Sequence, residues 1–291
     1  MVDFNNFRSG WRPELDQDNP KSPDFGRIRS TLSAAASSSN PNNSSDFRSF
    51  SPSQFRQNQV QTSTCVAQSS VRALELKRVM KYYNEAFQSG KTPQDALTDA
   101  LSKHVDLSRL ALYYGARSLM DPPETDKDEG TFISLAADAL SRWGICRESA
   151  WPFDQQKLFV PPTWMAMRDA YVHKIKTWHK IYTSGNDRVD DVILALAVGN
   201  PVVYGTLVDT NWQNYDGSQP LGPSSGKILG QHATVLIGWD PNKNVFIGEN
   251  SWGTWWGQDG FYEIRPEVIA SSNSDDFVLY YGGWEDYKVA A

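Results

Sequence analysis

A cysteine, a histidine and an asparagine in this chain have the chemistry that nucleophilic catalysis by a thiol requires. Cys65 lies six residues after Gln59, and the other two lie far downstream, in Gln231-His232-Ala233-Thr234 and Glu249-Asn250-Ser251-Trp252-Gly253. A thiolate attacks a carbonyl carbon, an imidazole transfers protons, and an amide oxygen orients the imidazole. These residue types predict a hydrolase with a cysteine nucleophile and leave its substrate open.

His232 and Asn250 are predicted to be neighbours on a β-hairpin. Asp240-Pro241-Asn242-Lys243-Asn244 is a turn sequence between two apolar runs, which is typical of a hairpin. Pairing Trp239 with about Val245 places a residue between 250 and 252 opposite His232. Directly opposed residues have Cβ atoms roughly 5 Å apart. The Asn250 amide oxygen can therefore accept from one ring nitrogen of His232 and leave the other facing a thiol.

Cys65 is predicted to begin a long helix. Residues 65–89 contain neither Pro nor Gly, and their apolar residues lie on two faces, which indicates a helix buried between two bodies. The unpaired N–H groups and the positive dipole end at its start favour thiolate over thiol. The Cys65 backbone N–H and the Gln59 side-chain amide are candidate donors to an oxyanion.

The remaining elements change character along the chain. Helices are predicted at 93–103, 132–142 and 189–198, and strands at 201–208, 233–239, 244–248 and 260–264. Helices first and strands later predict an α+β protein with two unlike halves.

Composition excludes several classes of function. With 28 Lys+Arg against 34 Asp+Glu and no basic runs, neither nucleic acid nor an anionic membrane is expected as the main partner. No apolar run approaches the roughly 20 residues of a membrane span, and the N-terminus lacks the features of a secretory signal. Two cysteines, Cys65 and Cys146, suit a reducing compartment, although one disulfide between them stays open. A cytoplasmic location is expected, with a virion or host-delivered location left open.

The other histidines and the second cysteine have no catalytic pattern around them. His104, His173 and His179 are interpreted as surface or structural residues, and Cys146 as a core residue. The scattered positions match no metal-ligand spacing, so neither a metal nor an organic cofactor is predicted.

Together these motifs closely resemble those of papain-like cysteine peptidases, in particular the disulfide-poor bacterial and viral branch. The matching segments are the Gln59–Cys65 loop, Gln231-His232-Ala233 and the Trp-rich loop Asn250–Gly257. The resemblance implies a two-lobed fold, with Cys65 in a helical N-terminal lobe and His232 and Asn250 in a β-rich C-terminal lobe. It implies a protein or peptide substrate in the cleft between the lobes. It also implies that this cleft is lined by Asp128, Glu129, Gly130 and Gln231.

The chain departs from that family at two positions beside the nucleophile. Thr62 stands where the family signature has a cysteine, and Val66 where it has an aromatic residue. Two further readings therefore stay open. One is a catalytically silent papain-like protein in a larger assembly, and the other is an amidase or acyltransferase that uses the same residues.

The N-terminal part is predicted to be separate from the catalytic domain. Residues 30–45 are rich in Ser, Asn and Ala, which is typical of a linker. Before them, Phe7, Trp11 and Phe25 suggest a segment that packs on the main body. The expected division is an extension at 1–45, through which the protein could join a larger assembly, and a peptidase domain at 46–291.

Overall fold

The computed structural model describes residues 7–13, 23–39 and 44–271, together with the backbone of 275–280. Its α-helices are α1 (Arg29–Ser39), α2 (Cys65–Gln88), α3 (Pro93–Ser102), α4 (Arg109–Ser118), α5 (Ile133–Arg142), α6 (Trp164–Tyr171), α7 (Gly185–Ala197), α8 (Thr210–Gln213) and α9 (Pro266–Ala270). Its strands are β1 (Ser45–Asp46), β2 (Thr177–Ile181), β3 (Val202–Asp209), β4 (Ile228–Asp240), β5 (Val245–Glu249), β6 (Phe261–Ile264) and β7 (Asp275–Tyr280).

Helices α3 to α5 precede an antiparallel sheet, as the α+β prediction requires. The strand order is β2-β7-β3-β4-β5-β6, and β1 pairs with the far end of β4. Helix α2 packs against β4 on one side and against α3, α4 and α5 on the other. It therefore lies between the helical part and the sheet, which is why residues on both of its faces are buried.

Local side-chain bonds determine where several helices begin. Thr92 accepts from the backbone N–H of Asp95 at 3.2 Å, and Pro93 follows at the first helical position of α3. Ser108 caps α4 in the same way, through Ala111. Such caps satisfy N–H groups that have no partner inside the helix.

The predicted β4–β5 hairpin is confirmed. Asp240 pairs with Val245, and Val235 pairs with Glu249 beyond an irregularity near Leu236. The Asp240 carboxylate accepts from the backbone N–H of Asn242 at 2.9 Å, which stabilises the turn. Continued by three residues, this register leads from Val235 to the position of His232, so His232 faces the chain just after β5.

The predicted linker at 30–45 is wrong for its first part, because helix α1 occupies Arg29–Ser39. Leu32 and Ala36 are four residues apart and contact the core, and Arg29 Nε lies 2.6 Å from Asp191 Oδ1 of α7. A Ser- and Ala-rich segment is compatible with a helix once one face has a surface to dock on. The domain boundary between residues 45 and 46 stays a prediction.

Other differences concern elements that the sequence patterns did not predict. Helices α1, α4, α6, α8 and α9 and strands β1, β2 and β7 were not expected, and α7 begins at Gly185, ahead of the expected 189. Cys146 is buried as predicted, and both cysteines are free. Among the helices of the described residues, none combines the length and apolar composition that a membrane crossing requires.

Candidate active site

The thiol of Cys65 lies where the first turn of α2 meets strand β4. Cys65 is the first residue of the helix and is fully buried. Its sulfur accepts a hydrogen bond from the backbone N–H of Ala233 at 3.4 Å. Because Ala233 follows His232 directly, the fold brings the nucleophile beside the strand that carries the imidazole.

His232 and Asn250 form the predicted cross-strand pair. His232 Nε2 lies 2.8 Å from Asn250 Oδ1, and that oxygen also accepts from the backbone N–H of Ser251 at 2.8 Å. The backbone N–H of Asn250 donates to the Gly260 carbonyl at 2.9 Å. His232 Nδ1 has no hydrogen-bond partner among the described residues. Asn250 thus fixes the imidazole and leaves the second nitrogen available for proton transfer.

Trp252 covers the bond between His232 and Asn250. Its ring stacks on the imidazole, with centroids 4.7 Å apart and an interplanar angle of 29°. Trp256 and Trp212 pack behind it, edge to face with Trp252. Both Trp252 and Trp256 are almost completely buried. Water is therefore kept from the His232–Asn250 bond, which strengthens that bond electrostatically.

Gln59 lies in the loop that precedes the nucleophile and contacts the loop that carries Asn250. Its Nε2 donates to the Thr62 carbonyl at 2.8 Å, and its Oε1 accepts from Ser251 Oγ at 2.8 Å. The Gln59 backbone N–H also donates to the Ser251 carbonyl. A carboxamide has two N–H bonds, so one of them remains for an oxyanion after the bond to Thr62.

The two departures from the family signature lie on either side of Cys65, Thr62 in this loop and Val66 in the first turn of α2. Thr62 Oγ1 donates to the Gln59 carbonyl at 2.6 Å and lies 2.7 Å from Thr64 Oγ1, so the hydroxyl ties the loop together. Val66 is fully buried. Val60 has a φ of 48°, a conformation that is strained for a β-branched residue.

Residues 7–12 lie in the cleft over Cys65, and we call them the covering segment. Trp11 pairs with Thr131: the Arg12 N–H donates to the Thr131 carbonyl and the Thr131 N–H donates to the Gly10 carbonyl, each at 3.0 Å. On the other side, Ser9 Oγ donates to the Gln231 carbonyl at 2.9 Å. The covering segment is therefore bonded on both of its sides, at Thr131 and at Gln231.

Two glycines allow this close approach. A methyl group on Gly10 would lie 2.7 Å from Cys65 Sγ and 2.4 Å from the Ser63 carbonyl oxygen. A methyl group on Gly130 would lie 2.3 Å from the Gly10 carbonyl oxygen, and Gly130 has a φ of +81°. Side chains at either position would force the two backbones apart.

Aromatic side chains attach the covering segment at both ends. Trp11 is 2% exposed, and a methyl group on Gly205 would lie 2.4 Å from its Cε2. Phe7 meets the rings of His232 and Trp252 edge on, with centroid distances of 6.1 and 5.7 Å. Two ion pairs add to these contacts: Arg12–Glu124 at 2.8 Å and Arg8–Asp128 at 3.7 Å.

Burial reverses the expected protonation of the nucleophile. Removal from water raises the pKa of the Cys65 thiol from 9.0 to about 12, against the smaller lowering effect of backbone N–H groups, including that of Gly10. Burial likewise lowers the pKa of His232 from 6.5 to about 4, although the bond to Asn250 opposes this. With the covering segment in place, thiol and imidazole are both neutral near pH 7. The thiolate expected from the helix dipole is not favoured here, because desolvation outweighs the dipole.

The predicted cleft residues divide into two groups. Gly130 and Gln231 contact the covering segment through Gly10 and Ser9. Asp128 also meets this segment, through its ion pair with Arg8, and its carboxylate accepts from the Ser63 N–H of the nucleophile loop at 3.1 Å. Glu129 is exposed.

Sequence reasoning missed Tyr113 and Thr131. The Tyr113 hydroxyl donates to Asp128 Oδ1 at 2.8 Å and accepts from the Gly130 N–H at 3.1 Å, so it connects the nucleophile loop with the cleft. The signal for its helix was Ser108 as an N-cap, followed by Leu110, Tyr113 and Ala116. Thr131 contacts the covering segment through its backbone N–H and carbonyl, so its residue type does not indicate this role.

His104 belongs to a group of side chains that could hold a metal ion. Among the described residues, Glu75, His104 and Asp106 are close enough to share a cation. Glu75, however, already contacts Arg72 at 3.1 Å and accepts from the Leu107 N–H. His104 stacks on Phe55 and bonds Asp106, as expected of a structural histidine.

Comparison with known proteins places these features in one family. Residues 96–280 match the family described as papain family cysteine protease. The match covers more than half of the chain and includes His232 and Asn250, while Cys65 lies before its start.

Individual relatives are similar over shorter stretches. The uncharacterized peptidase C1-like protein L477 of Acanthamoeba polyphaga mimivirus is 31% identical over 179 residues, which are 58% of this chain and 57% of that protein. Cathepsin B-like cysteine proteinase 6 of Caenorhabditis elegans is 35% identical over 84 residues, 28% of this chain and 22% of that protein. The chain spans about half or less of the length of these relatives.

Solved structures share the fold over nearly the whole chain. Xylellain, a cysteine protease from Xylella fastidiosa, superposes with a TM-score of 0.69 at 20% identity, over 94% of this chain and 96% of xylellain. Digestive procathepsin L 3 of the Tenebrio molitor larval midgut gives 0.60 at 17% identity, over 95% of this chain and 77% of the other. The chain therefore belongs to the papain family of cysteine proteases.

Proposed function

We propose that this protein is a cysteine peptidase that hydrolyses peptide bonds through Cys65, His232 and Asn250, with Gln59 in the oxyanion hole. The observation that carries this proposal is the 2.8 Å bond between His232 Nε2 and Asn250 Oδ1, on a strand whose next residue donates its N–H to the Cys65 sulfur. A positioned imidazole beside a thiol at a helix N-terminus is what nucleophilic catalysis by cysteine needs.

The proposed reaction has two steps. The Cys65 proton passes to His232 Nδ1, the thiolate attacks the scissile carbonyl carbon, and the Cys65 N–H and Gln59 amide stabilise the oxyanion. The C–N bond then breaks as His232 gives its proton to the leaving amine, which leaves a thioester on Cys65. In the second step, water attacks the thioester with His232 as base, and the carboxylic acid leaves as the thiol re-forms.

The backbone of Thr131 supports an extended peptide as the substrate. Its N–H and carbonyl both pair with the covering segment, and Gly130 beside it lets another backbone come close. A substrate can use the same two groups, because main-chain pairing requires no particular side chain. The main chain thus supplies affinity, and the side-chain pockets determine which peptides are preferred.

The covering segment lies in this cleft in the direction opposite to that of a substrate. His232 must protonate the leaving amine, so the C-terminal part of a substrate extends towards Trp252 and its N-terminal part towards Thr131. The covering segment has Phe7 near Trp252 and Trp11 at Thr131. We infer that it blocks the site without offering a correctly oriented bond to Cys65, and that hydrolysis requires it to move away.

The test compares the parent chain with Cys65→Ala and Cys146→Ala in the digestion of a peptide library. We expect the parent and Cys146→Ala to cleave, and Cys65→Ala to be inactive with an unchanged unfolding transition. Cleavage by Cys65→Ala would contradict the assignment of the nucleophile. A parent that cleaves only non-peptide amides would indicate an amidase, and one that cleaves nothing even after the covering segment is released would indicate a silent scaffold.

A further inference from the structure

A stripe of polar side chains runs along the buried half of helix α2. Gln68, Arg72 and Glu75 follow Cys65 at spacings of three, four and three residues, and each is at most 2% exposed. Residues at these spacings share one face of a helix. Buried polar groups cost free energy unless they are partnered, so this face must meet a polar surface.

That surface is the end of strand β5, directly before Asn250. Arg72 Nε lies 2.8 Å from Glu249 Oε1, and Arg72 Nη1 lies 3.1 Å from Glu75 Oε2. Ser51 Oγ donates to Glu249 Oε2 at 2.6 Å, and Arg56 lies 3.6 Å from Glu249 Oε1. Two guanidinium groups thus balance two carboxylates. The nucleophile helix is held to the residue next to Asn250 by a buried ion pair.

A small cavity lies beside this ion pair. Its lining includes Gln57, Gln68, Arg72, Glu249 and Asn250, all at least nine-tenths buried. About 10 Å³ of it is open to the centre of a water molecule, which is close to the roughly 10–15 Å³ that one buried water needs.

Two amide groups on the cavity wall have one free end each. Gln68 Nε2 donates to Thr64 Oγ1 at 3.2 Å, which leaves Gln68 Oε1 without a partner among the described residues. Asn250 Oδ1 is bonded to His232 and to the Ser251 N–H, while Asn250 Nδ2 has no partner among them. The two residues that carry this unpaired acceptor and this unpaired donor therefore line the same small cavity.

The free end of Asn250 bears on catalysis because an amide can rotate by 180°. The two ends have nearly the same shape, and only hydrogen bonds distinguish them. A rotated Asn250 would present its NH₂ group to His232 Nε2 and lose the bond that orients the imidazole. An acceptor for Nδ2 would hold the productive orientation.

We infer that Gln68 is a positioning residue for Asn250, acting through one water molecule in the cavity. The water accepts from Asn250 Nδ2 and donates to Gln68 Oε1. The candidate acceptor for its second hydrogen is Gln57 Oε1, which lines the same cavity and has no partner among the described residues. This role rests on the proposed peptidase function, because it concerns the orientation of His232. The charged groups facing the cavity are Arg72 and Glu249, with Arg56 and Glu75 behind them.

The experiment compares the full chain with Gln68→Met, which keeps the length of the side chain but removes the acceptor. Val71→Ala is the matched control, since Val71 is equally buried on α2 and does not line the cavity. All three chains keep the covering segment. The equilibrium between its open and closed positions therefore cancels when the rate of each variant is divided by the rate of the parent. The substrate is a fluorogenic peptide selected from a library with the parent.

For Gln68→Met we expect a roughly tenfold lower kcat at a KM within about twofold, the effect of losing about one hydrogen bond. The alkaline limb of kcat/KM should move to lower pH, because a less firmly held Asn250 stabilises the imidazolium less. Val71→Ala should lower the Tm and leave this limb in place. An unmoved limb and unchanged kcat in Gln68→Met would overturn the inference.

A crystal structure of the full chain provides a second test that does not depend on the variant folding. We expect an ordered water between Gln68 Oε1 and Asn250 Nδ2, and a dry cavity would overturn the inference. A parent that hydrolyses no peptide would count against the proposed function. Activity in the parent without an effect of Gln68→Met would count against the role of Gln68 alone.

Discussion

Replacing Trp11 by alanine should release the active site. The Trp11 indole is 2% exposed and packs against Gly205 of β3, so its burial depends on the covering segment lying on the main body. Truncation of a buried Trp to Ala costs about 3–5 kcal/mol. Because this side chain belongs to the segment that moves, the cost falls on closure of the cleft and leaves the fold of the main body intact.

At about 1.4 kcal/mol for each factor of ten, a loss of 3 kcal/mol raises the ratio of open to closed molecules more than a hundredfold. The rate of peptide hydrolysis and the rate of Cys65 alkylation by iodoacetamide should rise together by that factor. Both rates stop increasing once most molecules are in the open form. At low iodoacetamide concentrations the covering segment opens and closes many times before alkylation, so the alkylation rate reports the open fraction. Peptide mapping distinguishes alkylation of Cys65 from that of Cys146.

Trp164→Ala is the matched control, because Trp164 lies on α6 and is 73% exposed. It should leave both rates unchanged. Equal rates in Trp11→Ala and the parent would refute the idea that the covering segment limits access to Cys65. If alkylation rises and hydrolysis does not, the covering role of residues 7–12 is supported and the proposed peptidase activity is contradicted.

Three further results are expected. As the pH falls from 6.5 towards 4, His232 binds a proton more readily when the covering segment is open than when the ring is buried, which favours opening by at most about 1.4 kcal/mol for each pH unit. Above pH 9 an exposed Cys65 loses a proton that the buried thiol keeps up to about pH 12, which again favours opening. Hydrogen-exchange protection of the Arg12 amide, relative to its intrinsic rate, should therefore be highest between about pH 6.5 and 9, and a flat profile would contradict these shifts. Val60→Asn should raise the free energy of unfolding in urea by about 0.5–1 kcal/mol, since Asn tolerates a positive φ better than Val, and a destabilised variant would show that Val60 is not strained. Cys65→Ala with His232→Ala should be no slower than either single variant, because the two residues act as a unit, and additive losses would argue for separate roles.

The pairing of His232 with Asn250 could be read from the sequence because it depends on local features. A turn sequence between two apolar runs determines which residues of a hairpin oppose each other, and alternation along the strands determines which side chains share a face. The same holds for Cys65 at the start of α2, where a run without Pro or Gly predicts a helix. The proposal that these three residues form a triad could therefore be made from the sequence alone.

Helix α1 and the position of Asp128 depended on contacts that no local pattern reports. The Ser- and Ala-rich segment is helical because Leu32, Ala36 and Arg29 find partners on the main body. Asp128 is drawn from the rim towards Ser63 and Tyr113, which offer it hydrogen bonds. Propensity is a weak guide wherever tertiary packing determines the conformation.

The sequence by itself determined which side chains can perform the chemistry and how the histidine and the asparagine meet. Only the tertiary structure decided that Gly10, which lies 55 positions before Cys65, closes over the sulfur. The protonation of Cys65 and His232 follows from their burial in the folded chain, because desolvation raises the pKa of the thiol and lowers the pKa of the imidazole. The spacing of residues along the sequence does not indicate which side chains become buried away from water.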